Sequence, residues 1–257
     1  MTTGNRIITL ITDFGTSDGY AGAMKGVILS INPNATIVDI SHDIEPQNIL
    51  QAAHVLDKTH PYFPENTIHI VVVDPGVGTD RRAVILKTSQ HIFIAPDNGV
   101  LSYVVKDKVQ AVTITNPRFW RDRVSNTFHG RDIFAPVAAH LSLDIPLHEF
   151  GEQTTSLVSF PISRPEIEPG GAIIGQVIHI DRFGNLITNI KREDLPETNL
   201  NIEIKGHLIQ GLSPSYAAGN ELLAIIGSDE HLEIGVKNGN AATSLGVNFG
   251  DRIYVRT

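Results

Sequence analysis

Apolar positions in the first half of the chain recur in two alternating rhythms. Short runs such as "RIITLITDF", "ATIVDIS" and "TIHIVVVD" are dense in Ile, Val and Leu, the pattern of buried strands. Between them Tyr20, Met24, Val27, Ile28 and Ile31 recur at helical spacing. Ile49, Ala53 and Leu56 mark a second helix with Pro46 near its first turn. "RAVILKT" and "HIFIAPD" lie so close together that they read as an antiparallel pair. "NGVLSYVVKD" reads as a short helix or an extended stretch, and "AVTIT" as a further strand. Phe134, Val137, Ala138 and Leu141 mark a helix beginning near Arg131. This alternation predicts a layered α/β domain, a sheet with helices on its faces.

The rhythm breaks at "EQTTSLVSFPISRPEIEPG", residues 152–170, which is rich in Pro, Ser and Thr. Beyond it helical periodicity nearly vanishes. "AIIGQVIHID", "GNLITNI", "LNIEIKG", "ELLAIIGS", "HLEIGV" and "DRIYVRT" are short strand-like runs separated by turn residues, which predicts a small antiparallel barrel or sandwich. The expected organisation is an α/β domain over 1–155, a linker over 156–170 and an antiparallel β-barrel domain over 171–257.

Composition narrows the function. The chain has 257 residues and a formal net charge of -8, so it lacks the basic face that phosphate neutralisation needs, and a nucleic-acid partner is not expected. It has no cysteine, which excludes disulfides, thiolate catalysis and Cys-based zinc sites. The start carries no signal-peptide pattern, and no apolar run approaches the roughly 20 residues of a membrane span. The expectation is a cytoplasmic protein that meets no membrane.

Phosphate-loop, dinucleotide-binding and zinc-protease motifs are absent. What remains is a set of polar residues at strand ends and turns. Asp13 ends the first strand and Asp74 the third; parallel strands would bring both to the carboxyl edge of the sheet, where open α/β sheets bind ligands. In "VVVDPGVGTDRRAVIL" a Pro/Gly-rich turn separates Asp74 from Arg81 and Arg82. "NTFHGRD" supplies Phe128, His129 and Gly130 just ahead of a helix. In the second domain "IDRFGNLITN" holds Asp181, Phe183 and Asn185, and "GSDEHLEIGVKNGNAA" offers Ser228, Glu233 and turn backbone. Singly, each has a plain structural reading. Asp13 can cap a turn, Asp74 and Arg81 can form a salt bridge, His129 can be a hydrogen-bonded core histidine, and "FGN" can be a tight turn. Arg82 reads as facing solvent or packing its stem on the sheet. His42 and Asp43 in "ISHDIEP" read as a turn rather than a metal site.

Taken in order, "ITDFGTSDGYAGAMKG", "VDISHDIEP", "VVVDPGVGTDRRAV", "IAPDNGVLS", "TFHGRDIFAP", "IDRFGNLITNI" and "GSDEHLEI" are specific. From Arg6 to about Val255 the chain resembles the S-adenosyl-L-methionine hydroxide adenosyltransferases, and more distantly the fluorinases and chlorinases that use the same compound. The resemblance implies an N-terminal α/β domain and a C-terminal β-barrel in a homotrimer, with the ligand between one subunit's first domain and its neighbour's second. It implies attack of water or hydroxide on ribose C5′ of S-adenosylmethionine, releasing methionine and adenosine. S-adenosylmethionine is then the substrate, and neither cofactor nor metal is implied.

By the same resemblance Asp74, Arg81 and His129 form the catalytic set and Asp13 binds the ribose. Asp181 reaches the methionine amine, Asn185 contacts adenine, and Ser228 lies near the methionine carboxylate. The backbone from Val236 to Asn238 faces adenine, while Phe128 or Phe183 stacks on the base or borders the sulfonium. Glu233 is a further binding candidate. The halogenases carry Tyr and Thr where this chain has Asp74 and Val77, and Ser in place of Gly130. An aspartate there repels a halide, so water or hydroxide is the expected nucleophile. Arg81 and a protonated His129 would lower the pKa of a bound water, and Asp74 would accept its proton or a hydrogen bond; the sequence does not separate which of the three acts as base. The alternatives are a halide-using enzyme and a module that binds S-adenosylmethionine or adenosine without turnover.

Overall fold

The computed structural model describes residues 6–105, 109–197 and 199–257. The chain divides into two compact units, Met1–Pro161 and Ile162–Thr257.

The first unit runs β1 (Ile7–Thr12), α1 (Tyr20–Ile31), β2 (Thr36–Ser41), α2 (Ile49–Thr59), β3 (Ile68–Val72), β4 (Ala83–Lys87), β5 (Ile92–Pro96), β6 (Gln110–Ile114), α3 (Ala135–Ser142) and β7 (Gly151–Thr154). Its sheet has the order β2-β1-β3-β5-β4-β6-β7. β1 is parallel to β2 and β3, and β3 is parallel to β5. β4 is antiparallel to β5 and β6, as the short spacing of "RAVILKT" and "HIFIAPD" predicts. Alternation along the central strands covers both faces. Ile8, Leu10, Ile68, Ile70 and Val72 point to Met24 and Ile28 of α1 and to Val137 and Leu141 of α3. Ile11, Val71 and Val73 point to Ala52, Ala53 and Leu56 of α2. Both faces are buried, so these strands read as continuous apolar runs.

Two expectations are adjusted by the fold. The helix expected from about Arg131 opens as a π-helical turn, Gly130–Phe134, before α3. The described part of "NGVLSYVVKD" folds as turns, with Val100, Leu101 and Val104 buried; its last two residues, Lys106 and Asp107, lie outside the described residues.

The second unit runs β8 (Glu166–Ile167), β9 (Ile173–Ile180), β10 (Leu186–Lys191), β11 (Asn201–Ile204), β12 (His207–Gln210), β13 (Leu222–Ile226), β14 (His231–Val236), α4 (Ala241–Leu245) and β15 (Arg252–Arg256). The sheet order is β12-β11-β15-β9-β10-β14-β13, every pair antiparallel, with β8 added on β9. Its two end strands, β12 and β13, lie against each other, which makes it a nearly closed barrel. Val177, Leu186, Ile190, Ile202, Ile204, Leu232, Ile234 and Ile253 fill it.

The Pro- and Ser-rich stretch between the domains is tied down at both ends. Leu157 and Phe160 pack on the α2 face of the first unit. The Val158 N–H donates to Asp97 Oδ1 at 2.8 Å and the Phe160 N–H to Ser102 Oγ at 3.0 Å. Toward its other end β8 pairs with β9.

Candidate active site

In the register of β1 with β3, Thr12 stands beside Val72, so Asp13 and Asp74 both leave the sheet at its carboxyl edge. The next strand of that edge, β5, adds Asn98, whose side-chain amide donates to the Val73 carbonyl at 2.9 Å and pins the strand end that carries Asp74.

The turn after Asp74 folds back on itself. Val77 N–H donates to the Asp74 carbonyl at 3.1 Å, and Thr79 donates to the Gly76 carbonyl from its N–H at 3.2 Å and its hydroxyl at 2.7 Å. Arg81 therefore returns over Asp74. Its Nε donates to both carboxylate oxygens, at 3.0 and 2.9 Å, and its Nη2 donates to Oδ2 at 2.5 Å. The same Nη2 lies 2.7 Å from His129 Nδ1. Side-chain exposure is 5% for Asp74 and 12% for Arg81, so the pair is largely dehydrated. A buried ion pair is a poor stabiliser compared with apolar packing, and at the carboxyl edge, where open α/β sheets bind ligands, it makes Asp74 and Arg81 candidates for chemistry.

A guanidinium has only donors, so His129 Nδ1 must accept, and the ring is neutral with its proton on Nε2. The electrostatics agree. Burial lowers the His129 pKa, the Arg81 charge lowers it further, and Asp74 and Asp132 act against them without prevailing. The imidazole is therefore neutral and offers the N–H of Nε2.

Two glycines let the loop and the turn meet. Gly78 has φ +79°, and a Cβ on it would lie 2.3 Å from the Asn126 carbonyl oxygen. A Cβ on Gly130 would lie 3.2 Å from Met24 Sδ and 3.4 Å from both Phe128 and Val72, so there is little space for a larger side chain. Phe128 packs edge-on to Phe14 and Tyr20, at 5.7 and 5.1 Å between centroids, and Arg131 lies over its face at 5.0 Å. It borders the edge where Asp13 emerges. Asp13 Oδ2 accepts from the Gln47 N–H at 2.8 Å and so holds the loop before α2. His42 is a structural histidine, with Nδ1 2.8 Å from Thr12 Oγ1 and Nε2 3.0 Å from Asp39. Arg82, expected to be solvated or packed by its stem, pairs with Asp97 and donates to the Ser156 carbonyl at 2.7 Å.

The second unit gathers its own set. Asp181 shapes the turn between β9 and β10: Oδ1 accepts from the N–H groups of Phe183 (2.9 Å) and Asn185 (2.8 Å), and Oδ2 from Asn185 Nδ2 (2.9 Å). Phe183 is 75% exposed, a large apolar ring left open to solvent. Phe183, Asn185, Tyr216, Val236 and the segment 237–239 line an open pocket of about 600 Å³. Glu233 joins through Tyr216, whose hydroxyl donates to Glu233 Oε2 at 2.8 Å. Burial raises the Glu233 pKa, and Asp229 and Asp181 add to that against the Tyr216 hydrogen bond. Ser228 is exposed in the turn joining β13 to β14.

Two residues of these groups escaped the sequence reading. Tyr216 sits in "SPSYAAG", and a lone aromatic in a Ser/Pro/Gly loop between strands is a usable signal for a binding surface. Asp132 closes "NTFHGRD" and is fully buried, which no local pattern indicates. Among the described residues no group of three or more His, Asp or Glu is placed to hold a metal ion. No helix among them is long and apolar enough to cross a membrane.

Comparison with known proteins gives a consistent picture. The family model for the SAM hydroxide adenosyltransferase N-terminal domain matches residues 8–151, and that for the C-terminal domain matches residues 175–254. The (R)-S-adenosyl-L-methionine hydrolase of Methanocaldococcus jannaschii is 36% identical, with 97% of this chain and 95% of that protein covered. The protein of the same name from Salinispora tropica is also 36% identical, over 96% of this chain and 97% of its own length. A fluorinase from an Actinoplanes species is 31% identical over 80% of this chain and 78% of that enzyme. The crystal structure of an uncharacterized conserved protein from Thermotoga maritima superposes with a TM-score of 0.89 at 37% identity, over 98% of this chain and all of that one.

Proposed function

The chain belongs to the SAM hydroxide adenosyltransferase family, and on that premise we propose that it hydrolyses S-adenosyl-L-methionine to adenosine and L-methionine. The observation that carries the mechanism is the single guanidinium of Arg81 joined to both the Asp74 carboxylate and the neutral imidazole of His129.

The sulfonium is already a good leaving group. The protein's task is to hold one water in line with the C5′–S bond and to exclude others. Arg81 fixes two groups of opposite hydrogen-bonding sense. Asp74 can only accept, and His129, with Nδ1 occupied by Arg81, offers its Nε2 proton. A water between them is oriented by donating to Asp74 and accepting from His129. As its oxygen bonds to C5′ and the C5′–S pair departs on methionine, its proton passes to Asp74. His129 is then a hydrogen-bond donor and Asp74 the base. The same Asp74 carboxylate disfavours a halide in this place, which supports hydrolysis over the halogenation named for the fluorinase relatives. Asp13 would accept from the ribose hydroxyls, with Phe128 alongside. Asp181, Phe183, Asn185, Ser228, Glu233 and Val236 would hold the adenine and methionine portions.

The relatives' names specify the (R) sulfonium epimer, and the proposal extends that preference to this chain. It also places the reaction in the cytoplasm, which cell fractionation checks, and in a homotrimer whose substrate lies between the first unit of one subunit and the second unit of the next. The deciding assay supplies separated (R) and (S) epimers in labelled water, with and without halide. Adenosine carrying the label at its 5′ oxygen, formed faster from the (R) epimer, is expected. A 5′-halo-adenosine, or tight binding with no product, overturns it.

A further inference from the structure

We infer that Asp132 is a positioning residue that sets His129 against Arg81 by clamping the loop over 121–129. The inference rests on the catalytic reading of His129 given above.

Its origin is a local defect in the helix. Pro136 has no N–H, so the Asp132 carbonyl lacks its partner four residues on. The backbone answers with the π-helical turn Gly130–Phe134, in which the Ala135 N–H reaches the Gly130 carbonyl. The vacant Asp132 carbonyl accepts instead from the Arg121 N–H at 3.0 Å, at the start of the loop. The Asp132 side chain grips the same loop. Oδ2 accepts from the Ser125 N–H at 2.9 Å and from Arg131 Nη2 at 2.8 Å, Oδ1 accepts from Arg131 Nε at 2.6 Å, and Arg121 Nη1 lies 3.7 Å away. Its own N–H donates to the Phe128 carbonyl at 3.2 Å.

Asp132 thus ties down the beginning, middle and end of the loop that carries Phe128 and His129: its carbonyl holds Arg121, its fully buried carboxylate holds Ser125, and its N–H holds Phe128. Burial acts to raise its pKa, but the Arg131 hydrogen bonds, the Ser125 N–H and both arginine charges outweigh it, and the group stays ionised. The loop in turn carries Asn126, whose carbonyl abuts Gly78 in the turn between Asp74 and Arg81. The charged groups that bear on His129 are Arg81, Asp74 and Asp132. Asp132 therefore acts on His129 twice, through the loop's position and through its negative charge.

The test is Asp132→Asn, which keeps the side chain's shape and removes its charge. NMR titration of the His129 ring, without substrate, should give a lower pKa in the variant than in the wild type. The acid limb of kcat/KM should move the same way, and kcat should fall on the order of 10²-fold with KM changed only a few-fold, as for a displaced catalytic group. In a His129→Ala background the same substitution should cost kcat nothing further. An unchanged His129 titration, or an equal loss in that background, overturns the inference. If D132N does not fold, Arg131→Gln, at a side chain 32% exposed, carries the comparison. Its loss of kcat should likewise vanish when His129 is absent, and an additive loss counts against the clamp. A wild-type protein inactive on S-adenosylmethionine would sink the proposed reaction, while the titration would still decide the coupling.

Discussion

At the residue scale, Arg81 makes two different bonds with one nitrogen, and this determines what each substitution removes. Asp74→Ala deletes the proposed acceptor of the water's proton and leaves the Arg81 guanidinium without its carboxylate partner. His129→Ala deletes a donor and widens the site. Each should lower kcat by roughly 10²–10⁴-fold with little change in KM, the usual range for a positioned proton-transfer or hydrogen-bonding group. Steady-state kinetics on the purified variants checks this, and unchanged turnover in either removes the set. Asp13→Ala should instead weaken adenosine binding, measured by calorimetry, because the role proposed for it lies with the ribose. Gly78→Ala places a Cβ against the Asn126 carbonyl at a left-handed φ, so it should lower Tm and kcat together, with about 1–3 kcal/mol of strain.

Asp13 and Asp74 stood out in the sequence as the polar residues that end apolar runs, whereas the roles proposed for them and for Arg81 and His129 came from the resemblance in motif order. The charge state of His129 was not readable. It follows from which Arg81 nitrogen reaches which imidazole nitrogen, a distance across 48 residues of chain.

At the element scale, the apolar rhythm located α1, α2 and the central strands because each is amphipathic or wholly buried. It was weak for β7, β8, β12 and α4, which are five residues or fewer, too short for a period to develop. It was silent on a feature built from three elements at once. His69 on β3 is fully buried, with Nδ1 2.8 Å from Thr9 Oγ1 and its ring stacked on Phe93 at 5.2 Å. The rings of His91 and His60 lie 5.1 and 6.1 Å from it. Burial and then the two neighbouring histidines lower its pKa to about 3, and burial lowers that of His91 as well, opposed by Glu65.

A histidine with a lowered folded pKa favours the unfolded state once protons are available. This stability is therefore full above the unfolded value near 6.5 and is lost as pH falls toward about 3. The loss from His69 alone should be roughly 1.5–2 kcal/mol between pH 6.5 and 5, at about 1.4 kcal/mol per unit in the steep region. Urea unfolding across that range checks it. In His69→Gln the slope should flatten, and an unchanged slope would show that other groups govern acid sensitivity. The exposed Asp39 and the buried Asp132, whose pKa values lie below the usual carboxylate one, act only at lower pH.

At the scale of the whole molecule, the chain holds two separate collections of site residues. Asp13, Asp74, Arg81, Phe128 and His129 belong to the first unit; Asp181, Phe183, Asn185, Glu233 and Val236 belong to the second. The two-domain reading came from the change of rhythm beyond residue 152, and the family from the order of motifs; the sulfur epimer that the relatives' names specify left no mark in either. If one subunit's first unit works with its neighbour's second, the two collections can be damaged on different chains and still meet.

Light scattering should give a mass three times the 28.0 kDa of the chain. Co-expression of His129→Ala chains with Asp181→Ala chains then separates the arrangements. Each parent alone should be nearly inactive. In a random mixture, about one quarter of sites would pair an intact first unit with an intact neighbouring second unit, so activity should return to roughly a quarter of the wild-type value per site. If each chain instead built its site from its own two units, every site would carry one lesion and the mixture would stay as inactive as its parents.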